Sequence, residues 1–188
     1  ELPATGGSEQ MRRYIVDFMN YVGDDASRSS LIDTPQRVLR SWDKLYSGYK
    51  QDPGELFRFF DKPENSDIVV LKNIEFYSTC EHHLLPFFGE MHIAYLPDRR
   101  ITGISKLARL AEVHARRLQV QERLVSDIAG DIEKYLKPRG VIVTATAQHF
   151  CMTSRGVEKQ RAKMVTTAAL GEFRQSEMRT EFFSMLGL

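Results

Sequence analysis

The order of β-rich and helical segments is the feature that most constrains this chain of 188 residues. Two β-rich segments are followed by two segments with helical periodicity and then by two further β-rich segments. The six segments run over residues 68–77, 87–95, 105–119, 122–136, 141–151 and 163–170. This β-β-α-α-β-β order predicts an α+β fold in which an antiparallel sheet carries helices on one face. The opposite sheet face and both edges then need cover from partner subunits, which favours an oligomer.

Helical signals flank this region on both sides. Apolar residues recur at helical spacing over residues 11–22. Thr34 is followed by proline and predicts the cap of a second helix, because proline suits the first helical position. Asp52 is also followed by proline and predicts the cap of a short helix over residues 53–60. Residues 173–188 predict a terminal helix.

These signals divide the chain into three parts. Residues 1–10 are expected to be a disordered tail or residues added in cloning, since Met11 suits a natural start. Residues 11–65 are predicted to form an N-terminal helical region. Residues 66–188 are predicted to form the domain that carries the chemistry described below.

Composition excludes several classes of protein. The net charge of +1 is small for a nucleic-acid binder, so any anion site has to be a local cluster of cations. No apolar run approaches the roughly 18 residues that span a bilayer, and the chain shows no secretory signal. We therefore expect a cytoplasmic protein with reduced thiols, and neither a membrane nor a nucleic acid as partner.

The only two cysteines of the chain each lie close to histidines. Cys80-x-x-His83 precedes the second β-rich segment, and His149-x-Cys151 ends the third. Residues two apart on a strand point to the same side, so His149 and Cys151 are expected to project together. Two thiolates, one imidazole and an open position for water are typical of a catalytic zinc site. A Cys80–Cys151 disulfide and two buried free thiols are the alternatives.

Two histidines of these two motifs are left over if Cys80, His83 and Cys151 bind the metal. His82 and His149 then lie free beside it. Zinc lowers the pKa of a bound water towards neutrality. Histidines titrate near neutral pH and can move protons to and from a substrate. This combination predicts metal-assisted hydrolysis.

Five motifs, in this order along the chain, resemble those of the GTP cyclohydrolase I family. They are residues 78–89 (STCEHHLLPFFG), 103–109 (GISKLAR), 117–123 (RLQVQER), 149–157 (HFCMTSRGV) and 170–173 (LGEF). The resemblance extends from about residue 11 to the C-terminus. It implies the T-fold, in which β-β-α-α-β-β units join into a barrel. It also implies a homodecamer of two face-to-face pentamers, with active sites at subunit interfaces.

The resemblance further implies a cofactor and a reaction. The implied Zn²⁺ ligands are Cys80, His83 and Cys151. His149 is implied as the main acid/base group, near N7 of the guanine ring, with His82 assisting. The implied reaction is hydrolysis of GTP at C8 of guanine, with release of formate and rearrangement to 7,8-dihydroneopterin triphosphate. This product begins folate, biopterin or 7-deazaguanine biosynthesis, and the sequence does not distinguish these routes.

Seven residues match the family's substrate contacts. Guanine presents N1–H and an amino group side by side, and one carboxylate can accept from both. Glu122 occupies that position in the motif, with Gln121 beside it. The triphosphate requires focused positive charge. The remaining matches, near the ribose and the phosphates, are Ser105, Lys106, Arg109, Arg155 and Arg37. By contrast, Arg116, Arg117 and Arg123 are interpreted as surface or interface charges.

Two segments depart from the family pattern. Thr146 stands where an acidic residue is usual, and residues 161–164 (RAKM) replace small and hydroxyl-bearing residues. Both departures spare every implied ligand and acid/base group, and their effect on other contacts stays open. Regulation by a partner protein also stays open, as does the native metal, for which mixed thiolate and imidazole ligands favour zinc.

Two other functions are alternatives at this point. Another T-fold enzyme of pterin or deazaguanine metabolism would use a histidine-only metal site or a nucleophilic cysteine. The presence of both Cys80 and Cys151 among the implied metal ligands disfavours both of these arrangements. A non-catalytic GTP-binding relative would keep Glu122 but would not need His82 and His149. The presence of both histidines therefore favours an enzyme.

Overall fold

The structure, a computed structural model, describes residues 6–65 and 67–187. Its helices are α1 (Gly6–Tyr21), α2 (Thr34–Leu45), α3 (Ile104–Ala115), α4 (Gln121–Leu136), α5 (Phe150–Thr153) and α6 (Ser176–Leu186). Its strands are β1 (Phe59–Asp61), β2 (Val69–Cys80), β3 (Pro86–Leu96), β4 (Arg100–Thr102), β5 (Leu118–Gln119), β6 (Gly140–His149) and β7 (Met164–Gly171). Short 3₁₀ turns cover Ser47–Lys50, Pro53–Leu56 and Glu172–Arg174. None of the helices in the described part of the chain has the length and apolar character needed to cross a membrane.

The chain divides into two compact units, one ending at Ser47 and the other beginning at Gly48. The first unit contains α1 and α2, and the second contains β1 to β7 together with α3 to α6. The sequence places this boundary after residue 65. The boundary lies earlier in the structure because the Gly48 N–H donates to the Arg116 carbonyl at 3.0 Å and β1 pairs antiparallel with β4, which ties these segments to the second unit.

The first unit differs from the sequence-based expectation at both helix starts. Helix α1 begins at Gly6, so part of the tail expected over residues 1–10 is helical, and residues 1–5 lie outside the described residues. The cap position of α2 is Asp33, one residue before the predicted Thr34, and it makes no side-chain cap hydrogen bond. Proline lies in the first turn of α2 as predicted.

Asp52 is a helix cap, as its position before proline predicts. Its Oδ1 accepts a hydrogen bond from the backbone N–H of Gly54 at 2.9 Å. The turn that follows ends at Leu56, however, and does not continue to Phe60. The chain becomes extended there because β1 finds a strand partner in β4, a distant segment that local spacing cannot reveal.

Five strands form the main sheet in the order β5-β2-β3-β6-β7. Strands β2 and β3, β3 and β6, and β6 and β7 pair antiparallel, while the short β5 lies parallel to β2. Helices α3 and α4 lie between the two hairpins in sequence, so the predicted β-β-α-α-β-β order is confirmed. Strands β4 and β5 escape prediction because three and two residues are too few to show an alternating pattern.

Alternate residues of β3 face two different hydrophobic clusters. Met91, Ile93 and Tyr95 are at most 1% exposed and pack in the larger cluster, which includes residues of α3 and α4. Ala94 and Leu96 pack in a second cluster that includes residues of α6. The C-terminal helix therefore covers part of the second sheet face, so the expectation that partner subunits must cover that whole face was wrong.

Gly89 lies where β3 and β6 approach each other closely. It pairs with Ala147 in the β3–β6 register. A β-carbon at position 89 would lie 1.9 Å from the carbonyl oxygen of Thr146. That oxygen belongs to the backbone of a central strand, so it cannot move aside as a flexible side chain would. A β-carbon at Gly130 in α4, by contrast, would meet no atom within 4 Å.

Replacing Gly89 with alanine is expected to lower the free energy of unfolding by about 2 kcal/mol or more, because the two strands must separate. Gly130→Ala is the matched control, and helix propensity predicts that it is neutral or stabilising by up to about 1 kcal/mol. Urea unfolding of the parent and both variants measures the two effects. Equal stability of the two alanine variants would contradict the close approach of the strands.

His92 on β3 supports an irregularity in β2. The register between these strands shifts beside Asn73, which has a φ of 58°. The Nδ1 atom of His92 accepts a hydrogen bond from the Asn73 N–H at 3.1 Å. Burial lowers the pKa of His92; Glu90 opposes this shift and Lys72 adds to it. A protonated Nδ1 could no longer accept this bond, so the fold favours the neutral imidazole.

This preference predicts a pH-dependent stability. As the pH drops, His92 of the unfolded chain takes up a proton near its ordinary pKa of 6.5, whereas His92 of the folded protein does so only at a lower pH. The free energy of unfolding therefore falls as the pH drops from the ordinary pKa towards the lower pKa of the folded protein. His92→Asn places an amide oxygen near the position of Nδ1 and does not titrate. Urea unfolding between about pH 7.5 and pH 5.5 should show the parent losing stability relative to this variant. A difference that does not change with pH would contradict the role of His92.

Candidate metal centre

The structure brings together the three residues that the sequence predicts as metal ligands. Cys80 ends β2, His83 lies in the turn that follows, and Cys151 lies in α5. Their two Sγ atoms and one imidazole nitrogen all lie within 4.8 Å of one another. Cys80 is 5% exposed, so the base of this group is closed to solvent.

Cys151 reaches the group from a helix and not from a strand. Strand β6 ends at His149, and the chain turns directly into α5. The backbone N–H and the Oγ of Ser154 both donate to the Phe150 carbonyl, at 3.0 and 2.7 Å, and close this helical turn. The prediction that His149 and Cys151 project together from one strand was therefore wrong. Cys151 joins the metal group, whereas His149 makes separate contacts described below.

The donor atoms suit a zinc ion. Zinc–ligand bonds of about 2.0–2.3 Å place the ligand atoms of a tetrahedral site about 3.5–3.8 Å apart, so the group needs only slight closure. Both cysteines are free thiols, and the disulfide alternative is not formed. Burial raises the pKa of Cys151, and the neighbouring Cys80 raises it further. A pair of thiolates at this position therefore requires a cation.

Backbone hydrogen bonds fix the loop that carries Cys80 and His83. The Cys80 N–H donates to the Leu85 carbonyl at 2.8 Å, and the Leu84 N–H donates to the Cys80 carbonyl at 2.9 Å. Glu81, between the two ligands, donates its N–H to the Gln119 carbonyl at 3.0 Å. The loop is thus closed on itself and attached to β5.

Arg123 of α4 clamps the same loop through its side chain. Its guanidinium donates to the Glu81 carboxylate, to Oε1 of Gln119 at 3.0 Å and to the Leu118 carbonyl at 3.2 Å. The hydrogen bond from Arg123 lowers the pKa of Glu81. The sequence suggests only a surface or interface charge at Arg123, because nothing in the spacing links it to a loop about 40 residues earlier.

His149 lies against an aromatic ring. Phe87, its partner in the β3–β6 register, is fully buried and stacks on the imidazole with ring centres 4.5 Å apart and planes 4° apart. Burial lowers the pKa of His149, and the charge of Glu122 partly opposes this shift. The imidazole is therefore neutral at neutral pH and can accept a proton. The sequence does not single out Phe87, because the strand register that pairs it with His149 is a tertiary feature.

The side chain of Gln121 is engaged by the protein itself. Gln121 is 1% exposed, and its Oε1 lies 2.8 Å from Nε2 of His149. Its amide nitrogen donates to the carbonyls of Ala145 and Met164, at 2.9 and 3.1 Å. The sequence predicts a substrate contact for Gln121, but in this structure its amide already has three partners.

Three further predicted residues surround the centre. His82 is exposed, and its Nδ1 lies 4.0 Å from Sγ of Cys80. The Arg155 guanidinium donates to Nε2 of His83 at 3.3 Å. Glu122 is exposed, and it lies close enough for its charge to act on His149.

The other predicted substrate contacts lie in α3 and α2. Ser105, Lys106 and Arg109 lie in α3, and within residues 6–65 and 67–187 no hydrogen bond or ion pair links them to the metal group or to His149. Arg37 lies in α2 of the first unit and pairs with Asp33 at 3.3 Å.

A cavity of about 380 Å³ lies beside the metal loop. Its lining residues are Tyr49, Glu81, Arg117, Leu118, Gln119, Arg123 and Asp127. It thus contains the Glu81–Arg123 clamp, but none of the residues that the sequence predicts to bind substrate.

Fold and site together define an α+β protein with a three-ligand centre suited to a catalytic metal ion. Residues 11–187 match the family described as GTP cyclohydrolase I. The chain belongs to the GTP cyclohydrolase I family, and the resemblance given by its five motifs is confirmed.

Named relatives cover nearly the whole chain. GTP cyclohydrolase 1 of Wolinella succinogenes is 53% identical over 174 residues, which span 92% of this chain and 93% of that protein. GTP cyclohydrolase 1 of Streptococcus pyogenes serotype M18 is 44% identical over 180 residues, 95% of this chain and 93% of that protein. GTP cyclohydrolase 1 of Thermobifida fusca is 45% identical over 176 residues, 93% of this chain and 85% of that protein. The chain is therefore an enzyme of this family.

Breaking the Arg123 clamp is expected to weaken metal binding. Arg123→Gln removes the ion pair with Glu81 and loosens the loop between Cys80 and His83, so zinc affinity should fall about tenfold. Competition with a chromophoric chelator measures this affinity. Arg116→Gln is the matched control, because Arg116, the C-cap residue of α3, pairs with Glu112 of that helix at 2.8 Å. Equal zinc affinities of the two variants would contradict the clamp.

Proposed function

We propose that the protein is a zinc-dependent enzyme that hydrolyses GTP at C8 of guanine, releases formate and forms 7,8-dihydroneopterin triphosphate. The observation that carries this proposal is the convergence of Cys80, His83 and Cys151 within 4.8 Å. Family membership supports GTP as the substrate, since the relatives named above are GTP cyclohydrolases. A bound Zn²⁺ would supply an activated water at neutral pH and stabilise developing negative charge.

His149 is proposed as the main proton-transfer group. Its lowered pKa keeps the imidazole neutral, so it can accept a proton and later return it to a guanine nitrogen. The stack on Phe87 limits rotation of the ring and so preserves its orientation towards the substrate. His82 is proposed to assist, because it is exposed and lies beside Cys80.

Glu122 is proposed to recognise guanine. Its carboxylate can accept hydrogen bonds from N1–H and from the amino group together, an arrangement that adenine cannot reproduce. Two observations support this role. Glu122 is exposed, and its charge influences His149, so one bound ring can contact both side chains.

The ribose and the triphosphate are proposed to lie against five residues: Ser105, Lys106, Arg109, Arg155 and Arg37. Lys106 and Arg109 are three positions apart in α3 and share one helix face, which concentrates positive charge. Arg155 already lies beside the metal ligand His83.

We propose that the active site is completed by a neighbouring subunit in a homo-oligomer, a decamer of two pentamers. Support comes from the edge strand β7, which exposes Val165 by 64%, because an uncovered sheet edge favours strand pairing with another copy. The unit that begins at Gly48 is proposed to carry the catalytic residues. The protein is proposed to act in the cytoplasm.

A second candidate is a relative that binds GTP without turning it over. It would need Glu122 and the cations but not His82 or His149. A neutral His149, held by Phe87 and Gln121, therefore favours catalysis.

Zinc-loaded protein incubated with GTP is expected to release formate and to give a product that fluoresces as a pterin after oxidation. His149→Ala should lower kcat by about 10²- to 10⁴-fold, because proton transfer is lost while the metal stays bound. Cys151→Ser should lose the metal and the activity together.

Arg179→Ala in α6 is a control that should behave as the parent, since Arg179 lies in the C-terminal helix outside the proposed site. Zinc content is measured for every variant beside the rates. Tight GTP binding without formate, in parent protein that is fully loaded with zinc, would contradict the proposed reaction and favour the binding protein.

A further inference from the structure

The contacts of Gln121 indicate a role that acts through His149. The side chain is buried, and its amide nitrogen donates to the Ala145 carbonyl of β6 and to the Met164 carbonyl of β7. These two acceptors belong to neighbouring strands of the sheet. Turning the amide over would point its oxygen at both carbonyls and would lose both hydrogen bonds. The sheet therefore fixes Oε1 on the side of His149.

The fixed amide determines which nitrogen of His149 carries the hydrogen. An amide oxygen can only accept, and Oε1 of Gln121 lies 2.8 Å from Nε2 of His149. Nε2 is therefore the donor, and the neutral imidazole has its lone pair on Nδ1. Within the described residues, no hydrogen bond reaches that Nδ1 atom. The stack on Phe87 holds the plane of the ring, so hydrogen bond and stack together define one orientation.

We propose that Gln121 is a positioning residue that holds His149 as the Nε2–H tautomer and leaves Nδ1 free to exchange a proton with the substrate. The inference rests on the proposed function for the identity of that substrate. The tautomer itself follows from Gln121, Ala145 and Met164 and does not depend on the reaction. This role replaces the substrate contact that the sequence predicts for the Gln121 side chain.

Nitrogen-15 NMR of the histidine rings tests the tautomer directly. Zinc-loaded protein is labelled with ¹⁵N-histidine and studied by solid-state methods, which tolerate a large assembly. The chain has five histidines, and the His149 signals are those that disappear in His149→Ala. The parent is expected to show a protonated Nε2 and an unprotonated Nδ1 at His149.

Gln121→Met removes the acceptor and keeps a side chain of similar length. This variant is expected to lose the preference for Nε2–H. With GTP, its kcat should fall tenfold or more while KM stays within about twofold, because proton transfer suffers and binding does not. A Gln121→Met protein that keeps the Nε2–H tautomer would overturn the proposal.

One further variant separates positioning from a general packing defect. Gln119→Met is the matched control: Gln119 is 2% exposed, donates to the His114 carbonyl at 3.2 Å and accepts from Arg123 at 3.0 Å, and within the described residues it forms no hydrogen bond with His149. It should leave the His149 tautomer as in the parent. Loss of this tautomer in Gln119→Met would overturn the assignment to the Gln121 oxygen.

The same experiments distinguish failure of this inference from failure of the proposed function. A parent that shows the Nε2–H tautomer, lost in Gln121→Met, supports the positioning role even if GTP yields no formate, and the proposed reaction alone then fails. A parent that releases formate while the tautomer is unaffected by Gln121→Met overturns the positioning role alone.

Discussion

The pairing of β3 with β6 is the interaction on which the rest of the site depends. Its register sets Phe87 against His149 and brings the end of β6, followed by α5, close to the loop after β2. Cys151 can therefore meet Cys80 and His83 although about 70 residues separate them in sequence. A slip of one residue would turn every side chain of a strand to the opposite face and would separate these groups. The close approach at Gly89 is the local condition for this register, since any larger residue meets the backbone of Thr146.

The first turn of α4 contributes three consecutive residues with three different roles. Gln121 points inward to His149, Glu122 is exposed to solvent, and Arg123 reaches the Glu81 carboxylate in the metal loop. Successive residues of a helix differ by about 100° in direction, so one short segment can face the proton-transfer group, solvent and the metal loop. Helix α4 thus contacts both His149 and the loop that carries Cys80 and His83.

The two faces of the sheet are covered by different helices and to different extents. Helices α3 and α4 cover one face along its length, with Ile93 and Tyr95 among the contacts, whereas α6 covers only part of the other through Ala94 and Leu96. An assembly of several copies would bury the exposed residues of β7 and of that second sheet face. The three residues of the metal group come from one chain.

The sequence by itself determined the order of the main elements, the three candidate metal ligands Cys80, His83 and Cys151, and the family. It could do so because periodicity, turn residues and short motifs are local properties of the chain. Only the tertiary structure decided how those residues meet. It showed that Cys151 arrives from a helix, that Phe87 stacks on His149, and that α6 covers part of the sheet. It also gave the amide of Gln121 its three partners within the protein. Each of these contacts joins segments far apart in sequence, and strand register and side-chain direction, which fix such contacts, are set by packing.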